Sequence, residues 1–304
     1  MTTPKRPFGA VTSAMVTPFN QDGSQIDFEA AKRLAKFLTD RGNDGLIVNG
    51  TTGESATTTD EEKNQLISAV KEAIGDRPVV AGVGSNNTLH TLHLAEAALA
   101  AGADGLLLVT PYYNKPSQAG VIKHTLQVAD LAEKHGSTVM LYDIPGRSGI
   151  ALAQATRREL AQHPAITTLK DATGDLGNGI RTLGETDLTF YSGDDGLNLP
   201  WLSVGAVGIV SVAAHLLSPA YQDLIAKFDA GENQAAAELN AKLQPIVDAL
   251  MGIVPGAVAV KAALHHYGVL ENSTVRGPLC EMDEAEFKAM LQVLEANSEL
   301  IQIS

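Results

Sequence analysis

A lysine, a tyrosine and an arginine stand at or just beyond the ends of two consecutive apolar runs in this 304-residue chain. Lys170 ends Ala165-Ile166-Thr167-Thr168-Leu169-Lys170. Tyr142 ends Val139-Met140-Leu141-Tyr142, which leads into Asp143-Ile144-Pro145-Gly146-Arg147. An ammonium at the buried end of a strand is costly unless it is paired or neutral. Desolvation lowers the pKa of a lysine and so turns an inert cation into an amine nucleophile, able to form a Schiff base with a carbonyl. A phenol on the neighbouring strand end can move the protons of that reaction, and a guanidinium can fork onto a carboxylate. Taken singly, each has a plainer reading, because most lysines lie at the surface. What the plainer readings do not predict is their convergence with other polar residues on one rim.

The elements that must carry these groups are legible as short apolar runs separated by helical stretches. Strands are expected over residues 9–15, 45–49, 78–83, 105–110, 138–143, 166–170, 188–192 and 205–212, most of them opened by a turn signal such as Gly42-Asn43-Asp44. Between the second and third, Thr59 and Glu62 predict a capping box, Leu66, Ile67, Val70 and Ile74 form one stripe, and Gly75 ends the helix. Eight strand–helix units in a row imply a parallel sheet, and eight close naturally into a (β/α)8 TIM barrel. A doubly wound open sheet is the alternative. After Val212 the chain is mostly helical, with an Ala-rich stretch over 234–251 and a last helix opened by Asp283 and Glu286. The expected division is a barrel catalytic domain over 1–225 and a C-terminal helical extension over 226–304.

Barrel active sites lie at the carboxyl ends of the strands. There this chain places Thr17, Gly50-Thr51-Thr52-Gly53-Glu54-Ser55, Gly84-Ser85-Asn86, the tyrosines Tyr112 and Tyr113, then Tyr142, Arg147 and Lys170, and finally Ser192-Gly193-Asp194-Asp195 and Ser211. A turn, ordinary aromatic packing and a helix cap are the plain readings of the Gly-Thr loop, the tyrosines and the aspartates.

Several chemistries fail on the same residues. No Gly-x-x-x-x-Gly-Lys-Ser/Thr segment exists, and after Gly82-Val83-Gly84 the third glycine of a dinucleotide fingerprint is Asn87. Gly146-Arg147-Ser148-Gly149 is one residue short of a nucleophile elbow, and Asp194 and Asp195 would repel a phosphate. His90 and His93, and the adjacent His265 and His266, lack carboxylates at ligand spacing, so no metal is expected. Hydrophobic content of 44% and charged content of 19% describe an ordinary globular chain. A net charge of −13 argues against nucleic acid or an anionic membrane as partner. Cys280 is the only cysteine, no apolar run reaches the length of a membrane span, and Met1-Thr2-Thr3-Pro4-Lys5-Arg6-Pro7 lacks a signal segment, so a cytoplasmic location is expected.

Five segments, in order and spacing over roughly residues 8 to 215, resemble the dihydrodipicolinate synthases, in particular their actinobacterial branch on Asn198-Leu199-Pro200-Trp201. They are Gly50-Thr51-Thr52-Gly53-Glu54-Ser55, Thr110-Pro111-Tyr112-Tyr113-Asn114-Lys115-Pro116-Ser117-Gln118, Tyr142-Asp143-Ile144-Pro145-Gly146-Arg147-Ser148-Gly149, Leu169-Lys170-Asp171-Ala172 and Tyr191-Ser192-Gly193-Asp194-Asp195. That group belongs to the pyruvate-dependent class I aldolases, which also include N-acetylneuraminate lyase. The resemblance implies that Lys170 forms an imine with pyruvate, that Thr51 and Thr52 hold its carboxylate, and that Tyr142 relays protons with Thr51 and a Tyr113 lent by a neighbouring subunit. It implies that Arg147 binds the carboxylate of L-aspartate 4-semialdehyde, and that backbone groups of Gly193 and Val210 line the pyruvate pocket. No organic cofactor is implied, because the lysine performs the activation. A homo-oligomer follows from the resemblance, as does the homotetramer built as a dimer of dimers.

The sugar-acid lyases of the family lack an arginine at the position of Arg147, so a 2-keto-3-deoxy-sugar-acid aldolase is the alternative within the enzyme class. A non-catalytic pyruvate-binding paralogue is the alternative outside it, and would be expected to have lost Lys170, Tyr142 or Arg147. Ser55, Ala56, Asn86 and Tyr112 match the family's lysine feedback site, in the cleft between two subunits. Asp60, Lys63 and His90 stand where lysine-sensitive enteric members carry histidines and a glutamate, so weak or absent inhibition by lysine is expected. The chain departs from the family at Val275-Arg276-Gly277-Pro278-Leu279, where Arg-Leu-Pro is usual, which leaves the packing of the extension open.

Overall fold

The computed structural model describes residues 5–303. Eight parallel strands pair in sequence order, and the last closes on the first: β1 (Val11–Ala14), β2 (Gly45–Val48), β3 (Val79–Gly82), β4 (Gly105–Val109), β5 (Thr138–Asp143), β6 (Ile166–Asp171), β7 (Thr189–Ser192) and β8 (Gly208–Ser211). Every expected strand is present, and closure rules out the open doubly wound sheet. The strands are apolar on both faces because both are buried, one by the barrel interior and the other by the helices.

Phe8, Ile47, Val80, Leu107, Met140, Tyr191 and Val210 fill the interior. The Tyr191 hydroxyl accepts from the Phe8 N–H at 3.1 Å and closes the bottom, and burial pushes its phenol up to about 12. Gly208 is required there: a Cβ would lie 2.6 Å from the Ala10 carbonyl oxygen and 2.9 Å from the Tyr191 ring. The outer layer is one continuous core of strand and helix side chains. Each buried aliphatic residue in it is worth about 1.5–3 kcal/mol.

The helix between β2 and β3, Asp60–Ile74, carries the expected Thr59–Glu62 capping box and ends at Gly75 with φ +62°. Helix Ala214–Asp229 follows β8 and runs through residue 225. Of three further helices, Asn233–Met251 and Gly256–His266 pack on it, and Glu284–Ala296, with the expected Asp283–Glu286 capping box, packs on those two. No single described helix is long and apolar enough to cross a membrane. The departing segment is firmly docked. The Arg276 guanidinium donates to Glu62 at 2.6 and 2.8 Å and to the Gly23 carbonyl at 2.7 Å, while its ring-side face lies 4.4 Å from the Phe19 centroid.

Candidate active site

Tyr142 and Lys170 are register partners at the ends of β5 and β6, and both point into the barrel mouth. Lys170 Nζ lies 4.1 Å from the centroid of the Tyr142 ring, and the residue is only 5% exposed. Gly193, just past β7, is the third side of this nook. A Cβ there would sit 2.8 Å from Lys170 Cγ and 2.9 Å from its Cε, so any larger residue would displace the amine. Val210 packs on β8 in the same interior cluster as Tyr142.

A cavity of about 620 Å³ opens above this pair. Thr51, Tyr142 and Arg147 line it together with all four residues expected of an effector site, Ser55, Ala56, Asn86 and Tyr112. One chain therefore places three residues of the expected reaction site and the whole expected effector set around a single cavity. Lys170, Gly193, Val210 and Thr52 do not line it, and Lys170 reaches it through its register partner Tyr142. Tyr113 is not brought into the site of its own chain: it is 88% exposed, with φ +71°.

The loop that presents Thr51 is held tightly. Asn49 and Glu54 both adopt positive φ, +56° and +55°, and the Thr17 hydroxyl donates to the Gly53 carbonyl at 2.7 Å. Gly82 lets this loop lie against β3, since a Cβ would meet the Asn49 carbonyl oxygen at 2.2 Å. Glu54 is buried in an ion pair with Lys261 of the extension and accepts the Arg276 N–H at 2.8 Å. Burial pushes Lys261 down to about 8 against the opposing pull of Glu54.

A second buried cluster lies behind the reactive pair. Asp143 and Asp171 directly follow Tyr142 and Lys170 and meet Arg157, from helix Gln154–Leu160, at 2.7 and 3.2 Å. Burial raises the pKa of both carboxyls, while Arg157 opposes the rise. At the end of β8, Asp195 accepts from the Ser211 hydroxyl and from the Val212 and Ala213 N–H groups at 2.9 and 3.0 Å, fixing that turn. Asp194 caps the short helical turn after β7 through Gly196 N–H at 3.1 Å.

At the outer end of the cavity Asp60 accepts from His90 at 2.9 Å and lies 3.9 Å from Lys63. Lys63 donates to the Thr58 carbonyl at 2.5 Å, and burial lowers its pKa. None of the clusters behind the rim was read from the sequence. A signal existed for two of them: a charged residue at the outward position of a buried strand, and the lone Lys261 in the apolar helix Gly256–His266.

Residues 7–297 match the Dihydrodipicolinate synthetase family. The chain belongs to that family. It is 50% identical over 288 residues to the 4-hydroxy-tetrahydrodipicolinate synthase of Kineococcus radiotolerans, covering 94% of this chain and 92% of that one. Among solved structures, the dihydrodipicolinate synthase of Cyanidioschyzon merolae with lysine bound superposes with a TM-score of 0.93 at 38% identity, covering 97% of this chain and 99% of that one. The chloride-inhibited dihydrodipicolinate synthase of Acinetobacter baumannii, complexed with pyruvate, superposes at 0.90 with 33% identity, covering 96% and 99%.

Proposed function

We propose that this protein is a 4-hydroxy-tetrahydrodipicolinate synthase that condenses pyruvate with L-aspartate 4-semialdehyde through an imine on Lys170. The observation that carries the reading is the 4.1 Å approach of the Lys170 amine to the ring of Tyr142, which lines a cavity together with Thr51 and Arg147. Lys170 Nζ adds to the ketone carbon of pyruvate, and loss of water leaves a protonated imine. That cation is an electron sink, so the methyl group gives up a proton, and the resulting enamine carbon attacks the aldehyde. Tyr142 carries protons in both directions, with Thr51 and a Tyr113 from a second copy of the chain as its relay. Such positioned groups contribute ~10²–10⁴-fold.

Thr51 and Thr52 hold the pyruvate carboxylate, and backbone groups of Gly193 and Val210 complete its pocket. Arg147 takes the carboxylate of the semialdehyde, which favours this substrate over a hydroxylated sugar acid. The outward-facing Tyr113 and the exposed Leu89 support a homo-oligomer, with a tetramer as its form. The enzyme works in the cytoplasm.

We read the Ser55, Ala56, Asn86 and Tyr112 end of the cavity as an effector site that takes lysine weakly or not at all. Lys63 places positive charge there, and Asp60 is engaged by His90. Titration with lysine into the millimolar range is expected to leave the rate nearly unchanged, and strong inhibition would refute this part.

The decisive experiment for the reaction is trapping with borohydride in the presence of pyruvate, followed by peptide mass mapping. An adduct on Lys170 is expected, followed by turnover when the semialdehyde replaces borohydride. An adduct elsewhere, or none, would overturn the reading.

A further inference from the structure

The cluster behind β5 and β6 touches no part of the cavity, yet it lies one residue from each of the two groups that would do the chemistry. Asp143 and Asp171 pair in register as Tyr142 and Lys170 do. Side chains alternate along a strand, so the phenol and the amine face the barrel interior while both carboxylates face outward, beneath helix Gln154–Leu160. A single nitrogen of Arg157, Nη2, reaches both carboxylates, and all three side chains are fully buried. Arg157 Nη1 also donates to the Thr182 hydroxyl at 3.4 Å, and the remaining contacts of the acids are local. Asp143 Oδ2 also accepts the Leu152 N–H at 3.0 Å, and Asp171 Oδ1 accepts the Thr173 N–H and hydroxyl at 2.9 and 2.7 Å.

Two carboxylates on adjacent strand ends repel strongly where water is excluded, and like charges directly opposite each other weaken strand pairing. The ladder shifts register between Val139 and Met140 and then pairs regularly from Met140–Thr168 to Asp143–Asp171, so the two acids close a run of four regular pairs. We infer that Arg157 is a positioning residue for the reaction: by bridging Asp143 and Asp171 it sets the lateral separation of the β5 and β6 ends, and so the placement of the Lys170 amine against the Tyr142 phenol. The inference rests on the imine reading of Lys170.

Buried ion clusters add little net stability over an apolar filling of the same volume. Removal of all three charges therefore separates positioning from folding. The experiment compares the wild-type protein, Arg157→Lys, and the uncharged triple variant Arg157→Met, Asp143→Asn, Asp171→Asn. The rate of borohydride trapping on Lys170 is measured against pyruvate concentration, with the folded fraction followed by circular dichroism. In the triple variant the trapping rate at saturating pyruvate is expected to fall ~10–100-fold, while the half-saturating pyruvate concentration stays close to that of the wild type. Arg157→Lys, which keeps one charged nitrogen but loses the Nη1 contact to Thr182, is expected to recover part of the rate. Wild-type trapping rates per folded molecule in both variants would overturn the inference and leave Arg157 a purely structural residue. Absence of a Lys170 adduct in the wild-type protein would instead overturn the proposed reaction, and the inference with it.

Discussion

Two buried ion clusters brace the barrel mouth, and they differ in charge, in reach and in what they hold. Behind β5 and β6, two acids share one base, Asp143 and Asp171 around Arg157, and the partners lie within 28 residues of one another in the chain (143 to 171). Beneath the Thr51 loop, one acid meets two basic residues, Glu54 with the Lys261 ammonium and the Arg276 backbone, and the ion pair spans 207 residues. The first cluster ties strand ends within the barrel. The second ties the Thr51 loop, held at positive φ, to the helical extension. The extension is therefore part of the site's support rather than an appendage, while the barrel wall carries its own brace.

Breaking the long-range cluster should have the largest effect. Lys261→Met keeps most of the volume but leaves the Glu54 carboxylate buried without its ammonium, which costs about 3–5 kcal/mol. The damage should spread to Thr51, so the pyruvate concentration for half-maximal rate rises as well. Urea unfolding and steady-state kinetics measure the two effects. A loss of stability with unchanged pyruvate dependence would mean that the extension supports the fold and not the loop.

A neutral buried group provides the contrast to both clusters. His215 donates from Nδ1 to the Val212 carbonyl at 2.7 Å and accepts the Val16 N–H on Nε2 at 3.1 Å, joining the turn after β8 to the end of β1. Burial pushes its pKa down to about 4, from the 6.5 of an exposed imidazole. The unfolded chain therefore binds a proton between pH 6.5 and 4 that the folded chain refuses. The contribution is fully present above pH 6.5 and is lost as the pH falls towards 4, by about 3 kcal/mol. His215→Gln should lower stability at pH 7 and flatten its fall over that window in a pH series of urea melts. An unchanged acid slope would assign the acid loss to other groups.

What the sequence carried, and what it did not, follows the same division between local and distant. Lys170, Tyr142 and Arg147 were legible because each stands at or just beyond the polar end of an apolar run, where barrel topology alone decides the face. The strand order and the two capping boxes were legible for the same local reason. Arg157 was not, because it sits beside Arg158 on a short helix, one fully buried and the other exposed, and only the phase of that helix distinguishes them. The Glu54–Lys261 pair has no periodicity to betray it, since closure of the whole barrel brings it together. Nor could spacing reveal that Ser55, Ala56, Asn86 and Tyr112 share one cavity with Thr51 and Tyr142.

The smallest effect, and the one with an unusual sign, belongs to the strand-end cluster. Each acid has one oxygen with no hydrogen-bond partner, Asp143 Oδ1 and Asp171 Oδ2, the latter 3.2 Å from Arg157, and burial holds the pKa of both above the usual carboxylate value. A carboxyl whose folded pKa is raised favours the folded state most below its unfolded pKa, and that advantage is lost as the pH rises through the folded value. At neutral pH the second carboxylate is thus a burden. Asp143→Asn removes the burden while its amide oxygen still accepts from Arg157 and from the Leu152 N–H, so the bridge survives. The variant should be more stable than the wild type by about 1 kcal/mol at pH 7, the order of one buried unpaired polar group. The difference should vanish as the pH falls below 4, and pyruvate trapping on Lys170 should stay near the wild-type rate. Thermal melts across that pH range, read beside the trapping rate, measure both. A loss of stability at pH 7 would mean that Arg157 is balanced by two full charges and that the cluster, unlike its partner beneath the Thr51 loop, carries no surplus at all.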